Sequence, residues 1–249
     1  MDLEIARRSD FLWIDALPQS ERDQAASDLK NGRVVIKQDF ISNTPQTVSV
    51  PGGLIHDWTG IVFVPGVSMS ELISTLQDYN QSARRYSPQV LKSKLLEHSG
   101  NDFRVFLRLK QVYVITVVLN TEYQVHYTFL DPAHVISRSY STRIAEVENA
   151  GEPQEREMPV GDDGGFLWRL YSYWRFYESR DGVYVQCNAV SLTRDVPTGL
   201  GWLIQPFLKT IPRDSLRLTL ESTRTALIHD VQGQLSPNTS STGEQEHEH

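Results

Sequence analysis

The sequence has few of the features that mark an enzyme class or a cellular location. It contains a single cysteine, Cys187, so no disulfide can form within the chain. Its most apolar stretch, residues 112–119, is far shorter than the roughly 20 residues that cross a bilayer as a helix. The first residues are charged and lack the continuous apolar segment of a signal peptide. We therefore expect a cytoplasmic protein without an integral membrane segment.

Charge and motif content exclude further classes. The chain carries 24 Lys and Arg against 31 Asp and Glu, a net charge of -7, and it shows no basic cluster. Nucleic-acid binding needs clustered positive charge, so we expect no nucleic-acid partner. There is no HExxH pattern, no paired cysteine, no calcium-binding loop and no glycine-rich phosphate loop. The sequence thus predicts no metal site, no cofactor and no catalytic constellation.

Long alternating runs are what the sequence does have. Between residues 89 and 194, apolar and polar residues repeat with a period of two, as in half-buried strands. Asp181 and Gly182 form a hairpin-turn signal between two such runs. No helical period separates the runs, so they predict consecutive antiparallel strands. One covered and one solvated face would explain the alternation.

Helical signals lie on either side of these strands. A strand is predicted over Gly53–Gly66, and a helix follows it because Ser68 and Glu71 have capping-box spacing. After the last strand, which ends at Pro197, we expect an apolar segment kinked near Pro206. A second helical stretch should then begin around Pro212. The predicted result is a long but broken helix packed across the apolar face of the sheet.

Three regions follow from these patterns. Residues 1–52 form an N-terminal extension with a short helix and a strand, and residues 53–229 form the main domain. Residues 230–249 are strongly polar and cannot bury enough apolar surface to order, so they predict a disordered tail.

The order of one strand, two helices, six antiparallel strands and a long C-terminal helix resembles the START-like superfamily, also called SRPBCC. Similar local sequences are GLIHDWTGIVFVPG, YSPQVLKSKLL, YWRFYE and SLTRDVPTGLGW, within residues 53–227. They are most similar to bacterial polyketide-cyclase-like members. The resemblance implies an α+β helix-grip fold, in which a curved antiparallel sheet wraps around a long C-terminal helix. It also implies a cavity for an apolar ligand between sheet and helix, but no shared catalytic motif.

Seven aromatic residues are the candidates for lining such a cavity. They lie on the faces predicted to be covered or in the C-terminal apolar segment, and they are Tyr113, Tyr123, Tyr127, Trp168, Trp174, Trp202 and Phe207. Apolar pockets use a few placed hydroxyl or indole N–H groups to orient a ligand. For any single member we favour ordinary core packing, since periodicity does not distinguish cavity from core, and binding by the group as a whole is better supported than binding by any one residue.

The remaining polar candidates favour structural roles. His126 lies on the face opposite Tyr127, towards solvent or a neighbouring side chain. His56 and Asp57 are adjacent in a strand, so their side chains point to opposite faces. Cys187 alternates with apolar residues, so we predict a buried structural thiol.

Three functional hypotheses remain. The first is a protein that binds or transports a hydrophobic small molecule such as a lipid, a polyketide or an aromatic metabolite. The second is a cyclase or aromatase that uses the same cavity, with tyrosine or histidine moving protons. The third is an interaction module with a filled core, in which the N-terminal extension and an acidic rim meet a partner that the sequence does not identify. The acidic rim consists of Glu146, Glu148, Glu152, Glu155 and Glu157.

Overall fold

The computed structural model describes residues 10–39, 50–112, 116–194 and 201–234, with the side chains of 210–230 in the last range. The strands are β1 (Val35–Gln38), β2 (Gly53–Pro65), β3 (Val90–Ser99), β4 (Asp102–Val112), β5 (Thr116–Asp131), β6 (His134–Glu148), β7 (Arg156–Glu157), β8 (Arg169–Ser179) and β9 (Gly182–Arg194). The α-helices are α1 (Gln19–Lys30), α2 (Met69–Gln77), α3 (Ser82–Arg85) and α4 (Gly201–Gln234). Short 3-10 turns occupy Trp13–Ala16 and Tyr79–Gln81.

The strands form one antiparallel sheet in the order β1-β2-β9-β8-β6-β5-β4-β3, with β7 paired to β6. α4 packs against the inner face of this sheet, chiefly on β2 and β9. The predicted consecutive antiparallel strands and the α+β helix-grip arrangement are confirmed. None of the described helices combines the length and hydropathy needed to span a bilayer.

The predicted break in the C-terminal helix is wrong. α4 is continuous from Gly201 to Gln234, and it includes both Pro206 and Pro212. Each proline removes one backbone hydrogen bond and disfavours a helix locally. Leu216, Leu220 and other residues of the same stripe are buried against the sheet. Tertiary packing of that stripe therefore outweighs the local preference against helix. α4 also includes the first residues of the predicted tail, and residues 235–249 lie outside the described part.

β2 is buried on both faces, which explains its imperfect alternation in the sequence. Val62 and Val64 face α4 and the main core. Ile61 and Phe63 face the opposite way and pack against the N-terminal segment, including Leu29 of α1. A strand covered on both sides reads as a nearly continuous apolar run. Residues 10–38 thus supply β1 as an edge strand and cover the outer face of β2.

Replacing Leu220 by alanine measures how much the helix–sheet contact stabilises the fold. Leu220 is fully buried, whereas Leu218 on the same helix is 40% exposed. We expect Leu220→Ala to lower the free energy of unfolding by about 2–5 kcal/mol, because it leaves a void in the core. The matched control Leu218→Ala should change it by about 1 kcal/mol or less. Urea denaturation of both variants provides the comparison, and equal losses would contradict the described packing.

Candidate functional site

A cavity of about 280 Å³ lies between the inner face of the sheet and α4. Strands β4, β5, β6 and β8 line one side of it, with apolar side chains such as Val105, Val125 and Phe176. α4 and the segment between residues 76 and 90 line the other side, where Leu218 and Tyr86 contribute. All the described lining residues are uncharged. The volume is near the lower end of the range of about 300–1,000 Å³ found for small-molecule sites.

Serine residues on neighbouring strands leave the space that the cavity occupies. Ser137 and Ser139 of β6 point inward, and Ser172 of β8 pairs with Ser139 across the ladder. A larger apolar side chain at these positions would fill the volume, as protein interiors are otherwise close-packed. Sequence reasoning missed these residues. The available signal was a strand whose alternate positions, from Ser137 through Ser141, are small and polar rather than apolar.

Tyrosine hydroxyls close part of the cavity wall through hydrogen bonds to one another and to α4. The Tyr79 and Tyr127 hydroxyl oxygens are 3.0 Å apart. The Tyr86 hydroxyl lies 3.1 Å from Oγ1 of Thr223 on α4. Phe103 packs edge-on against Tyr127, with ring centroids 5.6 Å apart. These contacts hold the 79–86 segment over the open end of the strands.

Arg85 anchors the same segment from outside the cavity. Its guanidinium Nη1 donates to the backbone carbonyls of Thr75 and Asp78 at 2.7 and 2.8 Å. Its Nη2 lies 3.7 Å from the Asp230 carboxylate near the end of α4. Only 10% of the Arg85 side chain is exposed, so these contacts join α2, α3 and α4 in a shielded position. The tyrosines of the wall are thereby fixed relative to the helix.

The hydroxyl oxygens of Tyr123 and Ser137 are shielded from the cavity, and each has a neighbouring hydroxyl: Thr121 lies beside Tyr123, and Tyr127 lies beside Ser137. Thr121, on the same face of β5 as Tyr123, donates its own hydroxyl hydrogen to the Leu107 carbonyl at 2.8 Å. Burial raises the pKa of Tyr123 to about 12. It also raises the pKa of Tyr127 to about 12, and this effect outweighs the lowering of that pKa by the neighbouring Tyr79 and Ser137 hydroxyls. The cavity tyrosines therefore stay protonated at neutral pH.

The seven sequence candidates are distributed unevenly. Tyr123, Tyr127 and Trp174 line the cavity, and the predicted inward orientation of Tyr127 is confirmed because only 3% of it is exposed. Trp168 precedes β8 and lies outside this cavity, in a separate hollow beside Leu192. The remaining three are not described at the level of side chains: Tyr113 lies outside the described residues, and Trp202 and Phe207 are described only as backbone of α4. Ligand contact remains a prediction for all seven.

The histidine and cysteine predictions are confirmed in orientation. His126 lies on the outer face, where its Nδ1 is 2.7 Å from the Asp102 carboxylate and 44% of its side chain is exposed. Nε2 of His56 lies 3.2 Å from the Thr193 hydroxyl, and burial lowers the pKa of this imidazole. Asp57 points to the opposite face and accepts a hydrogen bond from Asn188. Burial of Cys187 raises the pKa of its thiol, as expected for an inert structural residue.

Comparison with known proteins gives structural relatives only. No protein-family model matches this sequence, and no curated protein matches it significantly. A STAR-related lipid transfer protein fragment from Xanthomonas axonopodis is 17% identical, with a TM-score of 0.52 over 78% of this chain and 93% of that one. A START superfamily protein from Mycobacterium smegmatis is 10% identical, with a TM-score of 0.46 over 73% of this chain and 99% of that one.

An aromatase/cyclase, Zhui from Streptomyces sp. R1128, is 15% identical over 72% of this chain and 94% of that one, with a TM-score of 0.43. The Xanthomonas structure and the strand order of the sheet together identify the fold. At 17% identity this likeness concerns the fold. The chain therefore has the helix-grip fold of START-related proteins, as its sequence predicted.

Proposed function

We propose that this protein binds a small hydrophobic molecule, for storage or transport, in the cavity between the sheet and α4. Residues 53–229 are the proposed ligand-binding domain. The observation that carries the proposal is the cavity itself, whose exposed walls are mostly apolar and whose lining includes tyrosine, serine and threonine residues. This combination is typical of small-molecule sites. The lipid-transfer function named for the Xanthomonas relative agrees with it.

The size of the cavity limits the ligand. At about 280 Å³, the described space suits a compact molecule with a short chain or a few rings. A lipid with two long acyl chains would require the walls to move apart. We therefore favour the aromatic or polyketide-like class over a two-chain lipid.

A cyclase or aromatase activity is the second candidate. The paired hydroxyls of Tyr79 and Tyr127 at the cavity wall favour it, since hydroxyls placed against a substrate are needed for proton transfer. The raised pKa values weigh against it, because a phenol with a pKa of about 12, such as Tyr127, rarely ionises at neutral pH. These hydroxyls are better suited to donate hydrogen bonds to a bound molecule than to act as bases.

The third hypothesis, an interaction module, required a filled core and an available acidic surface. The cavity weighs against a filled core. Acidic side chains of the β6–β8 connection are also engaged, since Glu155 receives two hydrogen bonds from Arg108 at 2.7 and 2.8 Å. Glu157 similarly pairs with Arg143 and accepts from Asn120. We therefore rank this hypothesis last.

Native purification followed by mass spectrometry tests the proposed function directly. Solvent extraction of the purified protein should release a compact apolar compound in near-stoichiometric amount. Incubation of that compound with the emptied protein distinguishes the first two candidates. Recovery of the unchanged compound supports binding, whereas conversion to a product would establish the enzyme.

Filling the cavity should abolish binding without unfolding the protein. Ser139 lines the cavity, so Ser139→Leu should weaken binding of the neutral dye 6-propionyl-2-(dimethylamino)naphthalene by more than about tenfold, or 1.4 kcal/mol. Thr142→Leu, at an exposed position of the same strand, is the matched control. Fluorescence titration gives the affinities, and the melting temperature of Ser139→Leu should be unchanged or higher. Unchanged dye affinity in Ser139→Leu would contradict binding at this site.

Because its tyrosines are buried, we expect the folded protein to lose stability at alkaline pH. Tyr123 has a pKa of about 12 when folded and about 10 when unfolded. Above pH 10 the unfolded state loses this proton first, so the free energy of unfolding falls as pH rises towards 12, by up to about 1.4 kcal/mol per pH unit for each such group. Below about pH 9 the group contributes no pH dependence.

Tyr123→Phe should remove the part of this fall in the free energy of unfolding that the Tyr123 hydroxyl causes. Urea denaturation at intervals from pH 7 to 11 measures it in the variant and the parent protein. The difference in free energy between the two should be constant up to about pH 9 and should grow above pH 10 in favour of the variant. Parallel curves over the whole range would show that Tyr123 titrates alike in both states.

A further inference from the structure

The three inward serines of β6 differ in what their hydroxyls contact. Ser141 accepts a hydrogen bond from the Leu170 backbone N–H at 3.0 Å and is 8% exposed. Ser137 is 2% exposed and lies beside the Tyr127 hydroxyl. Ser139 lies between them on the same face, is only partly buried, and makes no side-chain hydrogen bond with any described residue. Of these three hydroxyls, that of Ser139 is therefore the one available to a bound molecule.

The surface that Ser139 exposes faces the cavity. β6 is an interior strand with β5 and β8 hydrogen-bonded on either side, so its side chains can expose surface only above or below the sheet. Successive side chains alternate between the two faces. Arg138 and Tyr140 point to the outer face, and Ser139 points to the inner face, where it lines the cavity. A molecule in the cavity can thus reach the Ser139 hydroxyl.

Apolar groups lie on both sides of Ser139 along the strands. Val125 of β5 stands directly opposite Ser139 and lines the cavity with it. Two residues away, roughly 7 Å along the strands, the rings of Tyr127 and Trp174 lie on one side. The Leu170 side chain lies on the other side, beside the next inward serine. A ligand atom that bonds to Ser139 therefore belongs to the middle of a molecule whose two ends occupy apolar space.

The charge and the hydrogen bonding of the lining constrain that ligand atom. All the described lining residues are uncharged, so a carboxylate or phosphate would lose its hydration without a described cation to compensate. A carbonyl or ether oxygen loses much less and can accept from a serine hydroxyl. The hydroxyl oxygen of Ser172, opposite Ser139 on β8, already accepts from the Trp174 indole at 3.2 Å. Ser139 is thus the donor in this row that the fold has not used.

We propose that the cavity selects a neutral molecule with an oxygen acceptor in the middle of an apolar skeleton, and that Ser139 donates a hydrogen bond to this oxygen. Ketones with rings or chains on both sides of the carbonyl belong to this class, whereas fatty acids with a terminal carboxylate do not. The inference rests on the proposed function, because it specifies the ligand chemistry of the same site. It makes Ser139 the residue that determines specificity, and the apolar walls provide general affinity.

Four aromatic probes test this assignment by displacement of the naphthalene dye at neutral pH. They are benzophenone, with a central carbonyl; 1,1-diphenylethylene, a hydrocarbon of the same shape; diphenylacetate, a carboxylate; and 4-phenylbenzaldehyde, an isomer of benzophenone with a terminal carbonyl. Benzophenone should bind about threefold to tenfold more tightly than 1,1-diphenylethylene, the range that one net neutral hydrogen bond supplies. Diphenylacetate should bind at least about 100-fold more weakly than benzophenone, because its charge is buried unpaired.

Variants identify the donor, with the affinity of each variant for the dye measured first. Ser139→Ala should weaken benzophenone binding by at least about threefold and leave the affinities for 1,1-diphenylethylene and 4-phenylbenzaldehyde unchanged or improved. Ser141→Ala is the matched control, since it removes a hydroxyl of the same strand that already bonds within the protein. Ser222→Ala removes a different lining hydroxyl, on α4. Both should keep the preference for benzophenone over the hydrocarbon.

A stability measurement separates recognition from a structural role. The Ser139 hydroxyl has no partner among the described residues, so unliganded Ser139→Ala should melt at the same temperature as the parent or higher. Ser141→Ala should melt at a lower temperature, because the buried Leu170 N–H loses its acceptor. A clear loss of stability in Ser139→Ala would show a structural partner and would overturn the inference.

The binding outcomes distinguish the inference from the proposed function. If 1,1-diphenylethylene binds but Ser139→Ala weakens benzophenone no more than the hydrocarbon, or if diphenylacetate binds best, the inference fails and the proposed function stands. A loss of the benzophenone preference in Ser222→Ala or Ser141→Ala equal to that in Ser139→Ala has the same meaning. If neither the dye nor any of the four probes binds, both are overturned.

Discussion

The contact between α4 and β2 is the constraint on which the rest of the structure depends. The helix lies so close over Gly60 that a Cβ atom there would be 2.6 Å from Cδ1 of Leu220 and 3.3 Å from Cδ2 of Leu216. A side chain at residue 60 would therefore require the Leu220 side chain to move from its place in the core. Since α4 is held against this side of the sheet, its spacing from β4, β5 and β6 depends on how far the sheet curves away from it. The cavity lies in that gap.

Side-chain size then decides where the interior is filled. Beneath the anchored part of the helix, β2 and β9 present Val62, Val64, Val183 and Val185, all fully buried. On β6 and β8 the inward positions near the centre are serines. Serine forgoes the burial of an apolar side chain, worth roughly 1.5–3 kcal/mol each. The chain thus gives up stability at these serine positions, and local sacrifices of this kind are expected at functional sites.

The sequence predicted well which side chains face the interior. It did not predict where that interior is filled and where it is open. Alternation identifies which side of a strand is covered, so the inward orientation of Tyr123 and Tyr127 could be inferred. Alternation does not show whether the space above the covered face is packed with side chains or contains a cavity. The serines of β6 were therefore overlooked. Local rules also misjudged Pro206 and Pro212, because the decisive energy comes from residues of α4 that contact a strand far away in sequence. The imperfect pattern of β2 had its own cause, since the N-terminal segment covers its second face.

Selectivity in such a cavity must come from a small number of atoms. Hydrophobic burial is non-directional and roughly proportional to area, so apolar walls accept any molecule of suitable size. Hydroxyls that already bond to each other, as Tyr79 and Tyr127 do, lose little whether a ligand is polar or not. An unsatisfied hydroxyl behaves differently, because its cost persists with a hydrocarbon and disappears with an oxygen acceptor. Any preference of this cavity among molecules of suitable size would therefore depend on the polar groups of its lining, most of which are hydroxyls.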